Sequence, residues 1–197
     1  MTDHSVYTIE VSGVKRDLPL FEIAPGVRIA ILNILGDTEL VRVAAHELAL
    51  KLADRNPEVL VTAETKSIPL VHTMSALMDM PYVVLRKTLK PYMGKALEAQ
   101  TLSITTGTPQ TLYLDEKDQK MLTGRQVAIV DDVISTGSTL QAMRLLMDKV
   151  GAIVVAQAAI FTEGDRALWT DVIALGHLPI FQGDQQGENS TGVDQAS

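Results

Sequence analysis

Apolar and polar positions follow two rhythms along this chain. Near-continuous apolar runs occupy Val59 to Ala63, Tyr82 to Leu85, Val127 to Val130 and Ala152 to Phe161. Runs of that length bounded by charge read as strands buried on both faces of a parallel sheet. Between them apolar residues recur at helical spacing: Leu40, Val41, Ala44, Leu48 and Leu52 after an Asp37-Thr38 cap, Ile68 to Met78, and Leu140, Met143, Leu146, Met147 and Val150. Strand followed by helix, repeated, predicts an α/β fold around a parallel sheet. Residues 6–32 differ, with alternation from Val6 to Val11, a Leu18 to Phe21 stretch, a Pro25-Gly26 turn and a strand-like run from Val27, so residues 1–36 read as a small separate segment before a core of 37–181. Residues 88–110 carry Pro91, Gly94, Gly107 and Pro109 without strong periodicity, which predicts a flexible loop. Thr111 to Leu114 reads as a strand, Asp115 to Thr123 as a polar connection, Leu168-Trp169 as a short helix or turn, and Val172 to Phe181 as a last extended piece. From 182 to 197 the composition turns to Gln, Gly, Asp, Asn and Ser, the signature of a disordered tail.

The densest chemistry lies in Gln126 to Thr139, QVAIVDDVISTGST. A buried strand ends on Asp131 and Asp132, and Ser135, Thr136, Gly137, Ser138 and Thr139 then form a hydroxyl-rich loop into a helix. Helix amino termini offer unpaired N–H groups and the positive end of a dipole, so such a loop suits a phosphate monoester. The two carboxylates cannot bind phosphate, but they can accept hydrogen bonds from adjacent sugar hydroxyls. A ribose diol beside a 5-phosphate fits both halves. The same residues would also serve a plain buried strand whose Asp pair caps a helix.

A second strand exit, Glu64, Thr65, Lys66 and Ser67, places a lysine in a tight strand-to-helix loop, where ammonium and N–H groups can meet another phosphate. Arg86, Lys87, Lys90 and Lys95 follow the next strand. From Glu64 to Lys95 there are five basic and two acidic residues, a locally positive segment in a chain of net charge −7. That balance argues against general nucleic-acid or acidic-membrane binding. The 197 residues are 46% hydrophobic, enough for one sizeable core, and lack cysteine, which excludes disulfides, zinc–thiolate sites and thiol nucleophiles. His4, His46, His72 and His177 show no metal-binding spacing, so no metal ligands are assigned. The opening residues lack a basic and apolar leader and no apolar run is long enough for a bilayer, so a cytoplasmic protein is expected.

IVDDVISTGST resembles the phosphoribosyl-pyrophosphate (PRPP) motif of the type I phosphoribosyltransferases, and the resemblance extends over about residues 20–181. It implies a parallel-sheet core with a small amino-terminal hood that selects the base and a flexible loop that closes over the reacting centre, with Tyr92 and Thr105 on that loop. Glu64 to Ser67 falls where these enzymes have a pyrophosphate loop, commonly E-x-R/K-G, with Ser67 in place of the glycine. The implied reaction moves ribosyl-5-phosphate from PRPP to a purine nitrogen, with Mg²⁺ held mainly by PRPP oxygens and water. In it Lys66 and Lys87 would neutralise pyrophosphate, Asp131 and Asp132 would hold the ribose diol, and Ser135 to Thr139 the 5-phosphate. Arg86, Lys90 and Tyr92 are further expected contacts.

The segment is most similar to adenine phosphoribosyltransferases and, along residues 59–90, to xanthine enzymes and the purine-repressor branch. Ser135 stands where hypoxanthine-guanine enzymes carry an Asp that serves as base. Adenine enzymes usually show P-G-x-x-F-R-D and S-L-E-Y-G; here Pro25-Gly26 is followed by Val27, Arg28, Ile29 and Ala30, and Thr105 takes the place of the acid in Ser103 to Gly107. Asn33 falls where xanthine enzymes have a base-contacting Asn, and Glu163 where they have a lysine that meets an oxo group. The resemblance thus favours adenine as base and a homodimer as working unit. Xanthine or a pyrimidine as base, or a PRPP-sensing regulator without turnover, stay open as alternatives, although the known regulators carry an added DNA-binding domain for which this length is expected to leave no room.

Overall fold

The computed structural model describes residues 5–102 and 109–182. A five-stranded, wholly parallel sheet runs in the order β10 (Val172–Leu178), β9 (Ile153–Glu163), β8 (Gln126–Ile134), β4 (Val59–Ala63), β5 (Tyr82–Leu85). The chain leaves β4 toward β5 and leaves β8 toward β9, in opposite directions. Right-handed crossovers therefore carry their helices to opposite faces and open a crevice at the carboxyl ends of β4 and β8.

Each strand sorts its apolar residues accordingly. Leu60, Ala128, Val130, Ala158 and Ile160 pack with α1 (Thr38–Leu52) and α2 (Ile68–Met78) on one face. On the other, Val59, Val61, Val127, Ile129 and Ala159 pack with α4 (Ser138–Val150). Leu60, Leu70, Met74, Leu146 and Met147 are fully enclosed, each contributing about 2 kcal/mol of burial.

The amino-terminal segment forms a sheet of its own, in the order β1 (Val6–Val11), β2 (Val14–Ala24), β3 (Val27–Ala30), β11 (Ile180–Gln182). All its pairings are antiparallel. This hood is not purely amino-terminal, since β11 pairs Ile180 with Ile29. Arg16 of β2 fastens it to the core, its guanidinium donating to both carboxylate oxygens of Asp37, at 2.6 and 2.8 Å, and to Glu39 at 2.9 Å. Asp37 also caps α1 by accepting from the Leu40 N–H, and the guanidinium holds its carboxyl below the usual range.

Two stretches depart from the sequence reading. Within residues 88–110, Pro91–Met93 is a 3₁₀ turn, and β6 (Leu97–Leu102) pairs antiparallel with β7 (Pro109–Leu114). The strand signal is a short alternation, Ala99 and Thr101 buried between exposed Glu98 and Gln100, which the flanking Pro and Gly residues obscure. Residues 103–108, Thr105 among them, and the tail from 183 lie outside the described residues. Asp115 to Thr123 is not a mere connection but holds α3 (Glu116–Leu122), capped by the Asp115 carboxylate on the Lys117 N–H; only Leu122 is buried, too little to leave a periodic stripe. No helix among the described residues is long and apolar enough to cross a membrane.

Candidate active site

The register of the central strands builds the site. Val61 lies opposite Ile129, so the exit of β4 is level with Asp131 and Asp132 near the end of β8. The strand thus runs past the acidic pair to Ile134 rather than ending before it. A cleft of about 290 Å³ opens there, lined by Ala63, Glu64, Thr65, Lys66, Ser67, Lys87, Asp131, Asp132, Val133 and Thr139. Three carboxylates, two lysines and Thr139 of the first turn of α4 line it.

Ser67 ties the two strand exits together. Its hydroxyl donates to Asp131 Oδ1 at 2.5 Å and accepts from the Asp132 backbone N–H at 3.0 Å. Serine is a favoured helix cap, yet at the start of α2 its side chain does not cap the helix; it is spent on the acidic pair. The same N–H also reaches Asp131 Oδ1 at 2.9 Å. Burial and the neighbouring Asp132 charge push Asp131 up to about 7, while the Ser67 hydrogen bond pulls it down. Near neutrality the Asp131 carboxyl therefore readily takes up or gives up a proton.

Glu64 lines the cleft and is also held within the fold. Its carboxylate accepts from Arg86 Nε and from the Lys87 backbone N–H, both at 2.6 Å. It therefore clamps the β5 exit, and the Arg86 guanidinium, its pKa raised chiefly by that bond, is a strut that leaves Lys87 facing the cleft. Lys66 Nζ donates to the Leu32 carbonyl at 3.3 Å, linking the loop to the chain leaving the hood. Lys90 and Tyr92 belong to the 3₁₀ turn outside the cleft, Tyr92 being 69% exposed.

The hydroxyl loop turns at Gly137, whose φ of 76° and ψ of 0° are left-handed. Thr136 Oγ1 and Ser138 Oγ lie 3.1 Å apart, Ser135 is exposed, and α4 has no acidic residue in its first turn, so the positive end of its dipole favours an anion. Thr101 supports the turn by donating to the Ser138 carbonyl at 3.1 Å.

Two residues expected near a base fall apart from the cleft. Asn33 is exposed between hood and α1, its Oδ1 accepting from the Leu35 N–H. Glu163 is the last residue of β9 and 7% exposed. Its carboxyl has no hydrogen bond or ion pair among the described residues, and burial raises its pKa. Since none of their fully enclosed side-chain oxygens or nitrogens lacks a partner, this carboxyl keeps an opening at the strand end. Sequence reasoning missed Trp169, which donates its indole N–H to the Glu163 carbonyl at 2.9 Å and lies against Gly137. A lone tryptophan just past the strand was the available signal.

Known proteins resemble this chain in sequence and in fold. The purine biosynthesis transcriptional repressor PurR of Bacillus subtilis is 30% identical over 130 residues, 66% of this chain and 45% of that protein. The hypoxanthine/guanine phosphoribosyltransferase of Methanothermococcus okinawensis is 36% identical over 118 residues, 60% of each. The chain thus spans between 45% and 66% of the length of curated relatives such as these. The crystal structure of adenine phosphoribosyltransferase from Thermoanaerobacter pseudethanolicus has the same fold, with a TM-score of 0.61 and 22% identity over 87% of this chain and 95% of that one. Residues 30–174 match the phosphoribosyl transferase domain. With its acidic strand end, hydroxyl turn and lysine loop on one parallel-sheet crevice, the chain belongs to the phosphoribosyl transferase family.

Proposed function

We propose that this protein transfers the 5-phosphoribosyl group of PRPP to a purine, with adenine favoured, releasing pyrophosphate. The observation that carries this reading is the cleft in which Asp131 and Asp132 face Lys66 and Lys87 beside the first turn of α4. The C1–O bond to pyrophosphate breaks as a C1–N bond to the base forms, and the base nitrogen gives its proton to solvent. Charge thus builds on the leaving group while C1 becomes oxocarbenium-like. Catalysis then consists of positioning and charge stabilisation. Lys66 and Lys87 meet the pyrophosphate, Asp131 and Asp132 accept from the ribose diol and stand near the cationic carbon, and Ser135 to Thr139 hold the 5-phosphate as a remote anchor.

Mg²⁺ belongs to this reading. No three His, Asp or Glu side chains converge as a metal cage among the described residues. Paired carboxylates opposite a polyphosphate subsite suit a hard cation that arrives on the polyphosphate and keeps its waters. Bound there, it supplies positive charge to the departing pyrophosphate.

Glu163 supports adenine. A buried, unpaired carboxyl at the strand end can accept from an exocyclic amine and repels an anionic xanthine, a discrimination of about 1–3 kcal/mol. The known relatives include hypoxanthine/guanine enzymes and the PurR repressor, so the competing readings are a 6-oxopurine substrate and a regulator that binds PRPP without turnover. The unit is read as a cytoplasmic homodimer, supported by exposed Leu50 and Leu77 on the adjacent helices α1 and α2, with a dimer mass expected in light scattering. The deciding measurement is kcat/KM with Mg²⁺-PRPP for adenine, guanine, hypoxanthine, xanthine and orotate. Adenine is expected to lead; preference for xanthine overturns the base assignment, and PRPP binding with no turnover on any base favours the regulator.

A further inference from the structure

Trp169 ends the 3₁₀ turn Arg166–Trp169 that follows β9, a turn capped by the Asp165 carboxylate on the Ala167 N–H at 2.9 Å. Its side chain makes contacts in two directions. Toward its own strand, Nε1–H donates to the Glu163 carbonyl at 2.9 Å. Toward β8, the six-membered ring lies on Gly137 so closely that a Cβ there would stand 2.8 Å from Cη2 and 3.3 Å from Cζ3. The residue at 137 is thus constrained twice, by a left-handed backbone and by the indole above it. The strands on which these groups sit are neighbours, with Ile134 opposite Thr162, so Glu163 ends level with the start of the hydroxyl turn. An indole is flat, has two rotatable bonds and is pinned at its nitrogen; pressed on a glycine, it limits the turn's backbone freedom.

We infer that Trp169 is the positioning residue of the 5-phosphate turn, holding Gly137 in its left-handed conformation from the Glu163 strand end so that the N–H groups of the turn are set before the ligand arrives. The inference rests on the PRPP reading above and adds a residue that touches neither substrate. It distinguishes the two anion subsites: the Ser135 to Thr139 turn depends on Trp169, whereas the Lys66 loop, held by Glu64, Ser67 and Leu32, does not. A second consequence follows from composition. Trp169 is the single tryptophan of the chain, so its emission reads occupancy of the turn.

The test uses two probes that divide PRPP, ribose 5-phosphate and Mg²⁺-pyrophosphate, titrated by calorimetry and by tryptophan emission. In the unmodified protein, ribose 5-phosphate shifts the emission and Mg²⁺-pyrophosphate does not. Trp169→Phe, which loses the N–H and the ring edge that reaches Gly137, weakens ribose 5-phosphate and PRPP about five- to tenfold, as expected for one lost hydrogen bond plus packing. It changes Mg²⁺-pyrophosphate affinity less than about twofold and raises the KM for PRPP with kcat nearly kept. Equal weakening of both probes, or no weakening, overturns the role of Trp169. Binding of ribose 5-phosphate to the unmodified protein without an emission change does the same. If the unmodified protein binds neither PRPP nor ribose 5-phosphate, the PRPP reading itself fails and takes this inference with it. Should Trp169→Phe not fold, Gly137→Ala, which drives a Cβ into the ring, gives the same selective loss; equal loss of both probes there again overturns the assignment.

Discussion

In the loop from β4 to α2, Glu64, Lys66 and Ser67 are each engaged by another part of the chain: Glu64 by Arg86 and Lys87, Lys66 by the Leu32 carbonyl, Ser67 by the acidic pair. In the loop from β8 to α4, Thr136 and Ser138 share a hydroxyl contact within the turn, and outside support comes from Trp169 on Gly137 and Thr101 on the Ser138 carbonyl. The difference follows from what each loop presents. A lysine is a point charge on a flexible stem, so its loop must be fastened by side chains before it can meet a polyphosphate at a fixed place. A hydroxyl turn works through N–H groups whose directions are set by backbone angles, so it needs one residue in the left-handed region and something to keep it there. The first loop is wired directly to Asp131 and Asp132 through the Ser67 hydroxyl.

The largest effect is expected at the groups that belong to neither loop. Replacing both Asp131 and Asp132 by Asn removes two charged acceptors and weakens PRPP on the order of 100-fold or more while circular dichroism stays unchanged. Unaltered PRPP titration in the folded double variant would show that the cleft binds something else. Next in size, Ser67→Ala cuts the tie between the loops, deprives Asp131 of a donor and the Asp132 N–H of an acceptor, and weakens PRPP by about tenfold. Without that donor the Asp131 carboxyl rises further, so the acid limb of PRPP binding against pH moves upward. A variant with native affinity and an unmoved limb would mean that the loops are independent.

The smallest effect concerns stability. Because the folded state raises Asp131 from its ordinary 3.8 to about 7, the unfolded chain gives up that proton first. Ionising Asp131 costs nothing below about pH 4, the cost grows as pH rises through that interval, and it is complete above about 7. Moving from pH 8 to 6 recovers about 1.4 kcal/mol, or roughly 3–6 °C of Tm for a chain of this size. Half-buried His177, whose pKa is lowered chiefly by partial burial, works against that gain, so the quantity to measure is the difference between the unmodified protein and the Asn pair. Equal pH slopes in the two would refute the raised Asp131 titration.

What the sequence disclosed follows the same division. The strands 59–63 and 82–85 and the helix 68–78 carry the expected elements, because short apolar runs bounded by charge mark the strands and an apolar stretch after a loop marks the helix. Ser67 was read as a small departure from a glycine; that its hydroxyl reaches Asp131 and Asp132 depends on the pairing of β4 with β8, which no local pattern encodes. The sequence places Glu64 in the pyrophosphate-like loop and Arg86 in the basic cluster; that the fold also pairs them with each other depends on the neighbouring exits of β4 and β5. The Trp169 contact joins residues from two strand exits. β6 and α3 were missed because each buries too few residues to show a period.

The hood has a further consequence for how the chain reaches this state. β3 is completed on one side by β2, a near neighbour, and on the other by Ile180–Gln182, the last described residues. Closing that pairing spans almost the whole core, so it is among the last contacts to form as the chain emerges from the ribosome. Until then Val27 to Ala30 is an open strand edge beside exposed Phe21 and Ile23, a surface that favours pairing with another chain. Truncation before Ile180 makes that interval permanent, and its first symptom would be aggregation rather than loss of binding.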